Sequence, residues 1–252
     1  MRVTMTLAIV LLFGAVCFAQ TPTAAAGAGQ KSAPTAEQLI EKAIAAYGGR
    51  EAAQKMTSVV MTGTMDISAF GMQGDTQTYR KAPNKVVTLT NIGGFGEVGN
   101  GFDGSGGWHL DPQSGLTDVT GQSLAVAKID SEFQGDLKFK QLYSKAEVTG
   151  QEKIGGRDCW VMKLTSVEGI NYTRYYDAET FLLLKGTVPV DPAQGSGDIE
   201  AMPSDYRDIG NGLKLPYKVT LNVPGVGELV ITYKEIKYNV PIDDAKFAKP
   251  KS

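Results

Sequence analysis

The sequence predicts an α+β fold: a curled antiparallel sheet, an incomplete β-barrel of about ten strands, covered by an N-terminal helix and a mid-chain helical lid. Most of the chain alternates apolar and polar residues with the period of two that is typical of strands. Short turn sequences separate these runs, and two segments instead carry apolar residues at helical spacing. A sheet of that width with one apolar face must curl, and the two helices are available to cover that face.

Composition excludes several classes of function. The 252 residues are 42% hydrophobic, which is enough to bury a sizeable core, and 25 basic against 27 acidic residues give a net charge of −2. No basic run could follow a phosphate backbone, so nucleic acid is not expected as a partner. The single histidine, His109, excludes a histidine-based metal cluster, and no cofactor is predicted.

The N-terminus has the pattern of an export signal. The apolar run Met5–Phe13 is too short to span a bilayer, and small residues precede a cleavage point before Gln20. Residues 1–19 are therefore predicted to be a cleaved signal peptide, which makes the protein periplasmic or secreted. The alternative is a lipid anchor at Cys17, which we favour less because Val16 stands where a small residue is expected.

The remaining chain divides into a tether and one domain. Residues 20–34 have no large apolar side chain and are predicted to be a flexible Ala/Gly/Pro tether, and residues 35–252 a single domain. Loss of Cys17 with the signal leaves Cys159 alone, so no disulfide can form within the chain. Cys159 lies in an apolar, strand-like run and is predicted to be a buried, unreactive thiol.

The first predicted element is an amphipathic helix. Thr35 and Gln38 form a capping-box pattern, and Gly48-Gly49 ends the helix. A shorter helix is expected over Arg50–Met56. The apolar face of the first helix is formed by Leu39, Ile40, Ala43, Ile44 and Tyr47.

Strands follow from Ser58 onward. Two pairs of strands are joined by short turns, at residues 177–180 and 224–227, and are predicted to be hairpins. The alternating apolar positions include Val59, Met61, Met65 and Ile67, then Val86 and the run to Leu89, then Trp160, Met162 and Leu164, and finally Tyr217, Val219, Leu221 and Val223.

One segment interrupts the sheet. Residues 120–134 place Val126, Ile129 and Phe133 at helical spacing, and Leu137 continues the same stripe. A helix inserted between strands is therefore predicted, and it would lie over the curled sheet as a lid.

Two motifs suggest chemistry but lack its structural context. The segment 94–99 has the glycine spacing of a dinucleotide-binding loop, yet no helix begins at Gly99, so a mobile glycine loop is favoured. The segment 121–125 resembles a nucleophile elbow around Ser123, but it ends in alanine and His109 precedes it, so a helix start is favoured.

Hydrolase activity is a minor alternative function, because two carboxyl groups at a suitable separation can cleave a glycoside. Acidic residues in turns more commonly cap and solvate them. The candidates are Asp103, Asp111, Glu132, Asp136, Asp205 and Asp208.

A series of short motifs along the mature chain resembles one known group, the periplasmic outer-membrane lipoprotein-sorting, or LolA-like, superfamily. No single motif is diagnostic, but their order is fairly specific. The motifs are Ala46-Tyr47-Gly48-Gly49, Thr62-Gly63, residues 81–85, Asp103-Gly104 before Trp108, Gly156-Arg157 with residues 159–161, residues 175–177 with Thr180 and Leu182-Leu183, residues 204–208 leading into 215–217, and Asn239 with residues 247–250.

The resemblance implies an incomplete β-barrel around a helical lid, with an apolar cavity that accepts lipoprotein acyl chains in the carrier members and lipid-bearing ligands in sensor members. Two departures stand out: residues 93–107 resemble an inserted glycine-rich loop, and no residue matches the arginine that locks the lid of the carriers. Fold alone does not fix function.

These observations predict a non-enzymatic protein that binds a lipid, lipoprotein acyl chains or another apolar ligand and acts as a monomer. An envelope membrane protein is a further candidate partner. A protein-binding or envelope-structural module that uses a sheet edge is the main alternative. The predicted ligand-binding residues of the cavity and lid are Trp108, Val126, Ile129, Phe133, Trp160, Met162 and Leu183.

Overall fold

A computed structural model describes residues 33–192 and 195–251. The predicted signal peptide, the alternative anchor at Cys17 and the tether up to residue 32 lie outside these ranges. None of the helices in these ranges has the length and apolar composition of a membrane-spanning segment. The helices are α1 (Ala36–Ala46), α2 (Arg50–Lys55), α3 (Gly121–Ser131) and α4 (Phe139–Leu142), with short 3-10 helices at Ser68–Phe70, Gly135–Lys138 and Asp244–Lys246.

The described residues form one antiparallel sheet that curls without closing into a barrel, as expected, but it has thirteen strands rather than about ten. The strands are β1 (Ser58–Ile67), β2 (Met72–Lys81), β3 (Lys85–Ile92), β4 (Gly96–Phe102), β5 (Gly107–Asp111), β6 (Gly115–Val119), β7 (Tyr143–Ile154), β8 (Arg157–Ser166), β9 (Asn171–Asp177), β10 (Leu183–Pro189), β11 (Asp198–Asp208), β12 (Lys214–Val223) and β13 (Gly227–Tyr238).

Strand order explains the architecture. Two meanders, β1 to β6 and β7 to β13, join where β1 pairs with β13, so that β6 and β7 are the two free edges of the sheet. Residues 120–142, which we call the crossover, connect these opposite edges and contain α3 and α4. The crossover therefore has to pass over one face of the curled sheet, which we call the inner face.

The glycine-rich segment is part of the sheet, which corrects the prediction of a mobile, inserted loop. Gly96 begins β4, and β4 pairs with β3 on one side and β5 on the other. Glycine is needed there for close packing, because a Cβ on Gly101 would collide with the ring of Trp108, its cross-strand partner. These glycines hid the strand pattern because they carry no side chain that alternates.

The first helix has the predicted start. Thr35 and Gln38 form the capping box, with Thr35 N donating to Gln38 Oε1 at 2.9 Å and Gln38 N donating to Thr35 Oγ1 at 3.2 Å. Its apolar face is buried against the inner face of β7 to β10. The second helix ends at Lys55, one residue before the predicted end.

The helix predicted within residues 120–134 is also present, but it ends earlier than expected. It begins at Gly121, where the backbone N–H and hydroxyl of Ser123 donate to Asp191 Oδ2 at 3.2 and 3.1 Å, so Ser123 belongs to a helix start. It stops at Ser131, so Phe133 lies beyond the helix instead of on its predicted face. Phe133 N donates to the carbonyl of Pro83, which directs the chain toward β2.

The outer face of the sheet has its own cover. Trp108 pairs with Gly101, Gly101 with Val87, and Val87 with Tyr79, so these side chains share one face of the sheet. Arg80 follows Tyr79 in β2 and therefore lies on the opposite, inner face. The C-terminal segment places Phe247 against Val87 and Trp108, forming the outer-face cluster of these three residues. Trp108 Nε1 donates to the Phe247 carbonyl at 3.1 Å.

Candidate functional site

The inner face and the crossover line a cavity of about 340 Å³ that is partly open to solvent. Protein interiors contain few voids larger than a water molecule, and ligand pockets begin at about 300 Å³. Most of its lining is apolar. The floor comes from β1, β11, β12 and β13 and includes Val59, Met61, Ala201, Val219 and Leu221.

Three of the seven predicted ligand-binding residues line this cavity. Ile129 comes from α3, Phe133 from the crossover beyond it, and Leu183 from the start of β10. The curled sheet and the crossover thus bring together residues that are up to 54 positions apart in the sequence.

The other four predicted residues lie outside the cavity wall. Val126 is buried in the core between α3 and the sheet, and Trp160 and Met162 occupy the inner face of β8, beside the cavity-lining residues of β9. Trp108 lies on the outer face, because the alternation of β5 places its side chain away from the crossover. Sequence alternation separates the two faces of a strand but does not say which face turns inward.

An arginine that sequence reasoning missed ties the crossover to β2. Arg80 Nη2 donates to the carbonyl of Asp130 at 2.6 Å and to that of Glu132 at 3.4 Å. Burial lowers the pKa of Arg80, against the opposing effect of Asp130. The contact joins β2 to the crossover at the C-terminal end of α3.

A second arginine contacts the crossover from a strand on the opposite side of the cavity. Arg174 of β9 is 12% exposed, and its Nη1 lies 3.0 Å from Asp136 Oδ1 on the 3-10 turn of the crossover. The same guanidinium donates to two hydroxyls, Nη1 to Tyr176 at 3.3 Å and Nη2 to Tyr143 at 2.6 Å. Since β2 and β9 are separated by five strands, the crossover is held at both sides of the cavity.

A tyrosine pair completes the polar end of the cavity. The hydroxyls of Tyr47 and Tyr206 lie 3.3 Å apart; Tyr206 donates to the Leu183 carbonyl at 2.9 Å, and Leu183 N donates to Tyr47 at 3.2 Å. Burial raises the pKa of Tyr47 and of Tyr143 to about 12. These hydroxyls are therefore neutral near pH 7 and keep their protons.

The carboxylates considered for hydrolysis serve other contacts. Asp103 and Asp111 accept backbone N–H groups within their own turns, and Asp208 accepts Gly210 N. Asp205 pairs with Arg207, Glu132 with Lys138, and Asp136 with Arg174. Only Glu132 and Asp136 of this set line the cavity.

No group of three or more His, Cys, Asp or Glu residues in the described ranges could hold a metal ion. His109 is buried on the inner face, away from the cavity lining, and neither ring nitrogen has a hydrogen-bond partner within the described residues. Cys159 is buried as predicted, at 0% exposure, and burial raises the pKa of its thiol.

Comparison with known proteins identifies the fold. No family model matches the sequence. No curated protein matches it either. Among solved structures, a DUF1329 family protein from Desulfovibrio piger is 14% identical with a TM-score of 0.56, over 84% of this chain and 97% of that one.

Two further structures carry the superfamily name. A LolA superfamily protein from Nitrosomonas europaea is 15% identical with a TM-score of 0.55, over 86% of this chain and 99% of that one. A proposed outer membrane lipoprotein-sorting protein domain from Vibrio parahaemolyticus is 12% identical with a TM-score of 0.54, over 85% and 96%. The chain therefore has the LolA-like fold, as the sequence resemblance implied.

Proposed function

We propose that this LolA-like chain is a periplasmic, non-enzymatic binding protein that holds lipid or lipoprotein acyl chains, or another apolar ligand, in the cavity beneath the crossover. The observation that carries the proposal is the cavity itself, about 340 Å³ lined mainly by apolar side chains. The lipoprotein-sorting description of one similar structure supports the same class of ligand.

The driving force is removal of apolar surface from water. Each buried methylene contributes about 0.8 kcal/mol, so an acyl chain gains affinity with every carbon that the cavity accommodates. Large apolar side chains from both the sheet and the crossover meet the ligand, including Phe133 above and Leu221 below.

The crossover is suited to act as a lid. Arg80 and Arg174 hold it by hydrogen bonds and one ion pair, which can break and reform without unfolding the sheet. Ligand entry then requires separation of at least one of these contacts, so we expect motion in the crossover rather than in the glycine-rich strand β4.

The main alternative, a protein-binding module, predicts a cavity filled by the chain's own side chains. The unfilled space favours a ligand instead. Ala201, which is 1% exposed at the cavity floor, offers a direct test.

In the experiment, the full chain is exported to a bacterial periplasm and purified without detergent, and binding of the apolar probe N-phenyl-1-naphthylamine is measured by fluorescence. Ala201→Phe should occupy the cavity and weaken probe binding by about tenfold or more, whereas Ala69→Phe on an exposed turn should not. Ala201→Leu provides a milder filling if the larger ring prevents folding. Equal probe affinity in wild type and a folded filled variant would contradict the proposal.

A further inference from the structure

Three side chains at the polar end of the cavity, Arg174, Tyr143 and Tyr176, keep hydrogen-bond donors that are not used within the described residues. Arg174 donates to the hydroxyl oxygens of Tyr143 and Tyr176, and neither hydroxyl donates onward to an acceptor within the described residues. The Nε of Arg174 also has no partner there. An acceptor-rich group is therefore the chemical complement of this site, which we call the headgroup site and define as Arg174, Tyr143 and Tyr176.

A carboxylate already occupies part of the headgroup site. Asp136 Oδ1 lies 3.0 Å from Arg174 Nη1 and supplies the negative charge that balances the buried guanidinium. Removal of that charge without replacement would leave an uncompensated buried cation, which is strongly unfavourable. Only another anion can take the position of Asp136.

The two partners of this ion pair differ in their access to water. The Asp136 side chain is 34% exposed, whereas that of Arg174 is 12% exposed. Asp136 can therefore turn to solvent when another anion replaces it, while Arg174 must keep an anionic partner. Asp136 belongs to the crossover, so this exchange also releases one of the two arginine contacts that hold the crossover in place.

We propose that the cavity binds a single-chain amphiphile with a carboxylate head, whose tail lies along the apolar floor and whose carboxylate replaces Asp136 at the headgroup site. This inference rests on the proposed function and narrows its ligand class. A neutral head leaves Asp136 in place and gains no charge-assisted hydrogen bond.

The test compares two probes with the same tail, dodecanoate and dodecanol, at neutral pH and below micelle-forming concentrations. Their affinities for the full, detergent-free chain are measured by displacement of N-phenyl-1-naphthylamine. Wild type should bind dodecanoate at least about tenfold more tightly than dodecanol. Arg174→Gln should bring this ratio close to one.

A matched control is Arg50→Gln, which removes an exposed arginine that pairs with Glu41 on the surface and should leave the ratio unchanged. Asp136→Asn removes the competing carboxylate, so it should raise the preference for dodecanoate. If Arg174→Gln fails to fold by circular dichroism, the Asp136→Asn ratio decides the question.

The outcomes separate the two proposals. Binding of both probes with equal affinity in wild type, or an unchanged ratio in folded Arg174→Gln, would overturn the headgroup proposal and leave apolar binding intact. A preference for dodecanoate that falls in Asp136→Asn would also overturn it. Failure of wild type to bind either probe would reject the proposed function itself.

Discussion

On the outer face of the sheet, the C-terminal segment places Phe247 against Trp108, and the two side chains are 0% and 2% exposed. On the inner face, the crossover spans from one sheet edge to the other and leaves about 340 Å³ unfilled. Both covers meet apolar side chains of one sheet. The outer segment inserts the ring of Phe247 into its cluster. The crossover is instead held at its two sides by Arg80 and Arg174, and the cavity floor below it includes the small residue Ala201.

The largest effect is expected at the filled face. Phe247→Ala removes a fully buried ring and should lower the free energy of unfolding by about 3–5 kcal/mol, measured by urea denaturation. Probe binding by the folded variant should be unchanged, because Phe247 is remote from the cavity wall. The control Phe70→Ala, at a 43% exposed ring, should cost far less. Equal losses in the two variants would show that Phe247 does not contribute to stability as a buried core residue.

The unfilled face should respond in the opposite way. Phe133→Asp places a charge in the cavity wall and should weaken apolar-probe binding by about tenfold or more, with little change in Tm, because Phe133 is only half-buried. Phe70→Asp is the matched control for a phenylalanine-to-aspartate change outside the cavity. A large loss of Tm in Phe133→Asp would show that the residue is part of the core and not of a lid.

A smaller effect should appear with pH. Burial lowers the pKa of His109 below its ordinary value, against the raising effect of Asp111, so the unfolded chain binds the proton more readily than the folded chain. Stability should therefore fall as pH drops below about 6.5, and His109→Leu should lose this dependence.

The pH window distinguishes His109 from the carboxylates. The pKa of Asp177, which burial tends to raise, is lowered overall by hydrogen bonds from Thr180 and Glu179, so its contribution to stability is lost only as pH falls below about 4. Unfolding measured between pH 7 and pH 5 reports on His109 with little contribution from such groups. An identical slope in His109→Leu would contradict the assignment.

The smallest effect is expected at Cys159. Its side chain is 0% exposed and the pKa of its thiol is raised by burial, so native protein should resist a thiol reagent that labels the unfolded chain rapidly. Mass spectrometry before and after denaturation measures the difference. Fast labelling of the native protein would show that this part of the sheet opens readily.

Local sequence patterns predicted the elements whose signals are local. The capping box of α1 and the two hairpins were found because each lies within a few neighbouring residues. Strand β4 was missed because its glycines show no alternation, and Gly101 is needed only because Trp108 of the next strand packs across it. That requirement becomes visible only when the strands are paired.

The site was harder to predict than the fold. Arg80 and Arg174 are single arginines in strands, and the crossover groups they contact are separated from them by 50 and 38 positions in the sequence. No spacing rule links such residues. Trp108 shows the related difficulty for apolar residues, since its strand pattern was clear but the face that turns toward the crossover was set by the curl of the whole sheet.

The central claim is that the space beneath the crossover holds an apolar ligand. The most direct measurement is native followed by denaturing mass spectrometry of the full chain exported to a bacterial periplasm and purified without detergent. The account predicts a co-purifying lipid or lipopeptide at close to one molecule per chain, and its loss in folded Ala201→Phe. A ligand-free mass from protein that also refuses added acyl probes would contradict it and favour the protein-binding alternative.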